Sequence, residues 1–174
     1  MQWNVAQLLQ SNIGAVRTYS VDELEGRYKE LDGKVIGTVR LMKTDRGILV
    51  RAPVTTRVWC SCSRCLISFS EPVSFEIDEV FYPVDGVFHE GKLAEPETDG
   101  EFTIDRHHIL DLGEPVCQYA LLSVPMKPLC TRECSGLCPT CGTNLNLETC
   151  RCPKGQVDPR WDVLRQMSAE VGIN

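Results

Sequence analysis

The sequence predicts an α+β protein: an antiparallel β-sheet or partly closed barrel, a packing helix, and a C-terminal cysteine-rich zinc module. Three observations predict it: alternating apolar residues in the first half, helix-like spacing over 109–123, and six cysteines crowded into 130–152. Alternation is typical of half-buried strands, and a period near 3.6 residues is typical of an amphipathic helix. We therefore divide the chain into a mainly β domain, 1–125, and a metal-binding module with a short C-terminal helix, 126–174.

Three segments read as β-strands. Residues 34–41, 48–59 and 73–82 are rich in Val, Ile and Thr, and the last alternates cleanly between apolar and polar side chains. The turn signal Asp-Arg-Gly at 45–47 separates the first two segments and is typical of a hairpin. A meander of about three antiparallel strands is the simplest arrangement that follows.

The segments after the strands have different characters. Residues 83–100 are acidic and rich in Gly and Pro, which predicts an irregular loop. Residues 109–123 then predict a helix whose first turn holds Pro115 and whose apolar face holds Cys117, which we expect in the core. A last short helix is predicted to begin at Pro159.

Composition limits the class of protein. The chain has 174 residues, 43% hydrophobic and 24% charged, and lacks both a long apolar run and a signal-peptide pattern. We therefore predict a cytoplasmic protein without a membrane span. In a reducing compartment, ten cysteines are expected to be metal ligands or free thiols rather than disulfides.

The net charge of −6 conceals an uneven distribution. Residues 27–70 hold nine Lys/Arg against three Asp/Glu, whereas residues 71–114 hold two against thirteen. The first stretch can offer a basic surface to phosphate and the second an acidic surface to a basic protein. Alternatively, the two are solvated faces that partly neutralise each other. The candidate RNA-facing residues are Arg40, Lys43, Arg46, Arg51, Arg57 and Arg64.

The six tail cysteines have the spacing C-x3-C-x3-C-x2-C-x8-C-x-C. The candidate metal ligands are Cys130, Cys134, Cys138, Cys141, Cys150 and Cys152. The Cys138/Cys141 pair, followed by Gly142, has the form of a zinc knuckle, because two thiolates at this spacing reach one ion. Spacing does not decide whether Cys130/Cys134 or Cys150/Cys152 completes its four ligands.

Structural zinc is the favoured interpretation of this cluster. Large apolar residues are scarce between 130 and 152, so something other than burial must hold the segment. A disulfide cluster and an iron–sulfur cluster are the alternatives. An all-cysteine site without an open coordination position would be structural rather than catalytic.

A separate cluster, Cys60, Cys62 and Cys65, lies between two predicted strands. This cluster is a candidate second thiol site with three interpretations. It is half of a metal site that the tail cysteines complete, or a redox site in which Arg64 lowers the pKa of a thiol, or a set of ordinary buried thiols at a turn. We favour a structural role. No nucleophile elbow, Gly-rich phosphate loop or H-E-x-x-H motif occurs, so we predict no catalytic residues and no small-molecule substrate.

The chain resembles the YceD family of large ribosomal RNA subunit accumulation proteins over nearly its whole length. The matching pieces are CSRCL at 62–66, LLSVPMKPLC at 121–130, CSGLCPTCGTNLN at 134–146, CRC at 150–152 and DPRW at 158–161. The resemblance implies a bacterial cytoplasmic protein needed for normal levels of 23S ribosomal RNA, through processing, stability or assembly. Some family members lack most tail cysteines, which places the shared activity in the β part and the CSRCL turn.

These features define the functional hypotheses. The first is a non-catalytic ribosome biogenesis factor that binds ribosomal RNA, its precursor or an assembly protein, with Zn²⁺ as a structural cofactor. The second is a protein-interaction module whose acidic stretch 71–114 holds a basic large-subunit ribosomal protein. The third, a metal-dependent RNA-processing enzyme, would need clustered carboxylates around an open metal position, which the sequence does not display.

Overall fold

The computed structural model describes residues 1–24, 28–84, 88–89, 92–93, 102–153, 159–162, 164 and 166–167. The chain forms two compact units. The first comprises Met1–Ser63 and Ile67–Cys130, and the second comprises Arg64–Leu66 and Thr131–Asn174. Within the described residues, no helix combines the length and the apolar character needed to cross a membrane.

The first unit contains the β-strands and two α-helices. Its strands are β1 (Gln2–Asn4), β2 (Val16–Leu24), β3 (Lys34–Lys43), β4 (Ile48–Ser61), β5 (Ser68–Pro83), β6 (Phe88–His89), β7 (Lys92–Leu93), β8 (Thr103–Ile104) and β9 (Ile109–Asp111). Its helices are α1 (Ala6–Leu9) and α2 (Gly113–Leu122). In the second unit a 3₁₀ turn spans Pro159–Trp161.

The main sheet is a mixed half-barrel with the strand order β1-β9-β8-β5-β4-β3-β2. The predicted α+β class and the antiparallel meander are confirmed, since β2 to β5 pair antiparallel in sequence. The half-barrel agrees with the predicted partly closed barrel, but the sheet is mixed rather than antiparallel throughout, because β8 pairs parallel with β5. Parallel neighbours need a connection of a dozen or more residues, and the chain between Pro83 and Thr103 is long enough to supply it.

Strand β4 shows how the sequence selects the two faces of the sheet. From Val50 to Trp59 its even-numbered side chains are buried and its odd-numbered side chains are exposed. The buried face packs on Phe81 and on α2, whose Val116 and Ala120 are also buried. The opposite face of β2 to β5 is solvent-exposed and is called the solvent face below.

Two predicted elements differ from those observed. Residues 109–111 were predicted as the first turn of a helix but form β9, because they pair with β1 in the register Trp3↔Leu110. Helix α2 begins at Gly113, whose N–H donates to Asp111 Oδ1 at 2.8 Å. Within α2, Cys117 is buried, as expected.

Two further predictions fall largely on residues outside the described part of the chain. Of the predicted acidic loop 83–100, the described remainder includes the two-stranded pairing of β6 with β7. Of the predicted C-terminal helix, the described residues after Trp161 are 162, 164, 166 and 167, and all four are helical.

Candidate metal centres and a basic sheet face

The structure gathers eight of the ten cysteines into two groups of four. The first tetrad is Cys62, Cys65, Cys130 and Cys134, and the second tetrad is Cys138, Cys141, Cys150 and Cys152. Within each tetrad all Sγ atoms lie within 4.8 Å of one another. A tetrahedral ion with metal–sulfur bonds of about 2.3 Å places its sulfurs about 3.8 Å apart, so four thiolates in this arrangement can hold one metal ion.

The tetrads decide between the ligand sets that the sequence left open. The Cys138/Cys141 knuckle is completed by Cys150/Cys152, and Cys130/Cys134 join Cys62 and Cys65 instead. Cys60 belongs to neither tetrad. Its side chain is half-buried, and burial, followed by the nearby Glu71 carboxylate, raises the pKa of its thiol.

The two C-x2-C turns have the same backbone geometry. The N–H of Cys62 donates to the carbonyl of Ile67 at 2.9 Å, and the N–H of Cys138 donates to the carbonyl of Thr143 at 2.8 Å. In both turns the residue after the second cysteine has a left-handed backbone conformation: φ is 60° at Leu66 and 73° at Gly142. The CSRCL sequence therefore forms the same kind of turn as the Cys138/Cys141 knuckle, with a leucine in a conformation that favours glycine.

Backbone amides of the knuckle favour the thiolate form that a metal requires. The N–H groups of Cys141 and Thr140 lower the pKa of Cys138 to about 6. The Thr143 hydroxyl, 3.1 Å from Cys141 Sγ, lowers the pKa of Cys141. Hydrogen bonding to Cys141, followed by burial, raises the pKa of Cys152 to about 12. Without a metal, the second tetrad thus keeps some of its protons at neutral pH.

In the second unit, Cys134 is held through both its backbone and its sulfur. Arg64 Nη1 donates to the Cys134 carbonyl at 2.8 Å, and Asn146 Nδ2 donates to Cys134 Sγ at 3.3 Å. Gly136 has φ 76°, and a Cβ added there would lie 3.3 Å from the Arg64 carbonyl. The sequence analysis treated Arg64 as a candidate RNA contact and assigned no role to Asn146. The sequence signal for Asn146 was its position in the short loop between Cys141 and Cys150, which is called the excursion below.

The candidate basic residues do not form one surface. Arg40, Arg51 and Arg57 are exposed on the solvent face of β3 and β4, and Arg40 is the direct register partner of Arg51. Arg46 lies in the β3–β4 turn, with its Nε 3.9 Å from Asp45. Lys43 is half-buried at the end of β3.

Acidic neighbours offset part of this positive charge. Arg51 Nε lies 3.2 Å from Asp78 Oδ2, and Arg57 Nε lies 3.9 Å from Asp32. Arg57 also donates to the Oγ and the carbonyl of Ser70, each at 2.8 Å. The solvent face is therefore mixed in charge, and Arg51 and Arg57 are oriented by contacts with neighbouring residues.

Comparison with known proteins agrees with the sequence motifs. The family model of the large ribosomal RNA subunit accumulation protein YceD matches residues 50–168. Uncharacterized proteins of Mycobacterium tuberculosis and Mycobacterium bovis are 32% identical over 132 residues, which is 74% of this chain and 59% of each relative. A Mycobacterium leprae protein, also uncharacterized, is 28% identical over 75% of this chain and 58% of its own length. The chain thus spans about three fifths of these relatives, and no solved structure matches it.

Proposed function

Because the chain belongs to the YceD family of large ribosomal RNA subunit accumulation proteins, we propose that it is a non-catalytic cytoplasmic ribosome biogenesis factor. It binds 23S ribosomal RNA or its precursor and thereby supports processing and accumulation of that RNA. One observation carries the RNA contact: Arg40 and Arg51 lie directly opposite each other on the solvent face. Like charges at such positions destabilise a sheet; Asp78 offsets part of the charge of Arg51, and a phosphate that both guanidinium groups contact would turn the remaining repulsion into attraction.

The spacing of the arginines suits a phosphate backbone. Side chains directly opposite on adjacent strands are about 5 Å apart at Cβ, so both guanidinium groups can reach one phosphate. Arg57 lies six residues along β4 on the same face, or about 20 Å away, and would meet a different phosphate. Trp59, which is exposed beside Arg57, adds a single aromatic surface. Phosphate contacts would therefore dominate, and binding should weaken steeply with salt.

The extent of the family match bears on which arginines matter. It begins at residue 50, so it includes Arg51 and Arg57 but not Arg40. An RNA contact common to the family would thus centre on β4, with Arg40 adding affinity in this chain.

Filter binding of deproteinised 23S ribosomal RNA across a salt series tests the proposal. The double variant Arg40→Gln/Arg51→Gln should lower the slope of log K against log salt by about 0.7 to 0.9, because the two arginines share one phosphate and each phosphate contact contributes about that much. Arg17→Gln is the control, since Arg17 bonds Gln7 rather than sharing the solvent face. An unchanged slope in the double variant, or no wild-type binding at low salt, would refute the RNA contact.

A protein partner is distinguished by nuclease treatment. The competing hypothesis gives the acidic stretch 71–114 a basic large-subunit ribosomal protein as its ligand. Capture of ribosomal components from lysate should be abolished by ribonuclease if RNA is the ligand. Capture that survives nuclease and is lost on neutralising Glu76 and Asp78, which are exposed on β5, would support the protein partner instead.

We further propose that each tetrad holds one structural Zn²⁺. Four thiolates leave no open coordination position for a substrate, so the ion stabilises the fold. Elemental analysis of purified protein should find two zinc ions per chain. Cys62→Ser should remove one ion, whereas Cys60→Ser, two residues away and outside both tetrads, should remove none. Zinc content unaffected by Cys62→Ser would exclude this assignment of the ligands.

A further inference from the structure

Asn146 belongs by sequence to one tetrad and by contact to the other. It lies in the excursion between Cys141 and Cys150 of the second tetrad, yet its Nδ2 donates to Cys134 Sγ of the first at 3.3 Å. Its Oδ1 accepts the N–H of Ser135 at 2.7 Å. The side-chain amide therefore makes hydrogen bonds with both the sulfur of Cys134 and the backbone N–H of the next residue.

Neighbouring contacts fix the orientation of this amide. Asn144 Oδ1 accepts hydrogen bonds from the backbone N–H of Asn146 at 3.0 Å and from its Nδ2 at 2.8 Å. The N–H of Leu145 donates to the Gly136 carbonyl at 2.9 Å, and Leu137 pairs with Asn144 in an isolated β-bridge. The excursion thus lies along residues 134–138, the short segment that joins a ligand of one tetrad to a ligand of the other.

We propose that the two tetrads bind metal cooperatively and that Asn146 is the residue that couples them. This inference rests on the proposed pair of zinc sites. An ion in the second tetrad ties Cys141 to Cys150, which closes the excursion and places Asn146 against Cys134. The amide N–H then stabilises the Cys134 thiolate, as outer-shell donors do for metal ligands. By linkage, an ion in the first tetrad favours closure of the second tetrad by the same factor.

The contact with Arg64 strengthens the argument that Cys134 is the point of coupling. Arg64 holds the carbonyl of Cys134 while Asn146 holds its sulfur, so the position of this cysteine is set by two separate segments. When the excursion opens, only the Arg64 contact of this pair remains. We therefore expect loss of the second ion to lower the affinity of the first tetrad by 10- to 100-fold, the usual effect of losing an outer-shell partner.

Titration of the full-length apoprotein with Zn²⁺ or Co²⁺ against a competing chromophoric chelator tests this coupling. Cys150→Ser/Cys152→Ser removes the second site and should weaken the remaining site 10- to 100-fold. Asn146→Ala should weaken the first tetrad similarly, and adding it to the double cysteine variant should have little further effect. Leu147→Ala is the matched control, because this adjacent side chain is 78% exposed.

Asn146→Asp separates the donor from the overall shape of the side chain. The aspartate keeps an oxygen for Ser135 N–H but puts a carboxylate where the N–H donor faced the Cys134 sulfur, so it should weaken the first tetrad at least as much as alanine does. The Co²⁺–thiolate charge-transfer absorption reports filling of the sites, and circular dichroism confirms that the sheet is intact.

The outcomes separate this inference from the proposed function. Two ions bound independently, or an Asn146→Ala titration within twofold of wild type, would overturn the coupling and leave the zinc sites standing. Fewer than two ions per wild-type chain would overturn the zinc sites themselves.

Discussion

Removal of the metal should unfold the cysteine-rich part of the second unit while the sheet survives. Between residues 131 and 150, the buried residues are Cys134, Gly136 and Cys138. The large apolar side chains there are Leu137 and Leu145, both half-buried, and Leu147, which is 78% exposed. Two half-buried leucines contribute about 1 kcal/mol each. A structural zinc ion contributes about 10 kcal/mol or more, so the segment would depend on the proposed metal.

Limited trypsin digestion measures this effect at defined bonds. Arg132 and Arg151 are exposed and lie within the cysteine-rich segment, each within two residues of a candidate ligand. Loss of even about 3 kcal/mol of local stability raises the population of the open segment about 100-fold. After treatment with a chelator and a reductant, cleavage after both arginines should accelerate by at least that factor. Bonds after Arg51 and Arg57, in the middle of the sheet, should stay protected.

Single substitutions separate metal loss from other effects of the chelator. Cys150→Ser should be cleaved after Arg151 without any chelator, whereas Cys60→Ser should behave like wild type in both conditions. Added Zn²⁺ should restore protection of wild-type protein. The reasoning fails if mass spectrometry shows the same rates of cleavage after Arg132 and Arg151 with and without chelator.

Three further substitutions test individual contacts. Tyr119→Phe removes a 2.5 Å hydrogen bond to Glu79 and should lower the free energy of unfolding in urea at pH 8 by about 1 to 2 kcal/mol. The pKa of Tyr119 is raised to about 12 in the folded state. The difference in stability between the variant and wild type should therefore disappear as the pH rises from about 10 to about 12. Gly142→Ala forces a side chain into φ 73° without a clash and should weaken the second tetrad roughly 5- to 30-fold in chelator competition, while Gly14→Ala, at φ 88° in the first unit, should leave metal affinity unchanged. Ile77→Ala empties a fully buried position and should cost about 2 to 5 kcal/mol in thermal unfolding without changing metal content.

Local patterns predicted the strands whose partners are adjacent in sequence. The alternation in β4 and β5 and the turn signal between β3 and β4 predict these antiparallel neighbours from local sequence. Glycine is needed at position 47, because a Cβ there would collide with the Phe81 carbonyl. Residues 109–111 carry an apolar run that suits a helix as well as a strand. Their pairing with β1 depends on a segment more than 100 residues away, which no local pattern reveals.

The same distinction applies to the cysteines. The two C-x2-C spacings predict thiolate turns, but the choice of partner depends on tertiary contacts. In the first unit, Ser63 N–H donates to the Pro128 carbonyl at 2.9 Å and brings the chain before Cys130 against the turn that holds Cys62. Arg64 was selected as a candidate RNA contact because of its charge, and its Nη1 donates to the Cys134 carbonyl. Charge identified a basic side chain but not the oxygen that it contacts.

The proposed metal sites make the net charge of the protein more negative. A Zn²⁺ ion on four thiolates carries −2, so two such sites lower the formal charge from −6 to −10. At each proposed site the four thiolates outweigh the charge of their Zn²⁺, so negative charge is added at the tetrads and none on the solvent face of the sheet. RNA held by Arg40, Arg51 and Arg57 should therefore bind equally well, or slightly better, after the metal is removed. A fall in affinity on chelation would instead place the RNA contact on the metal-bearing segment.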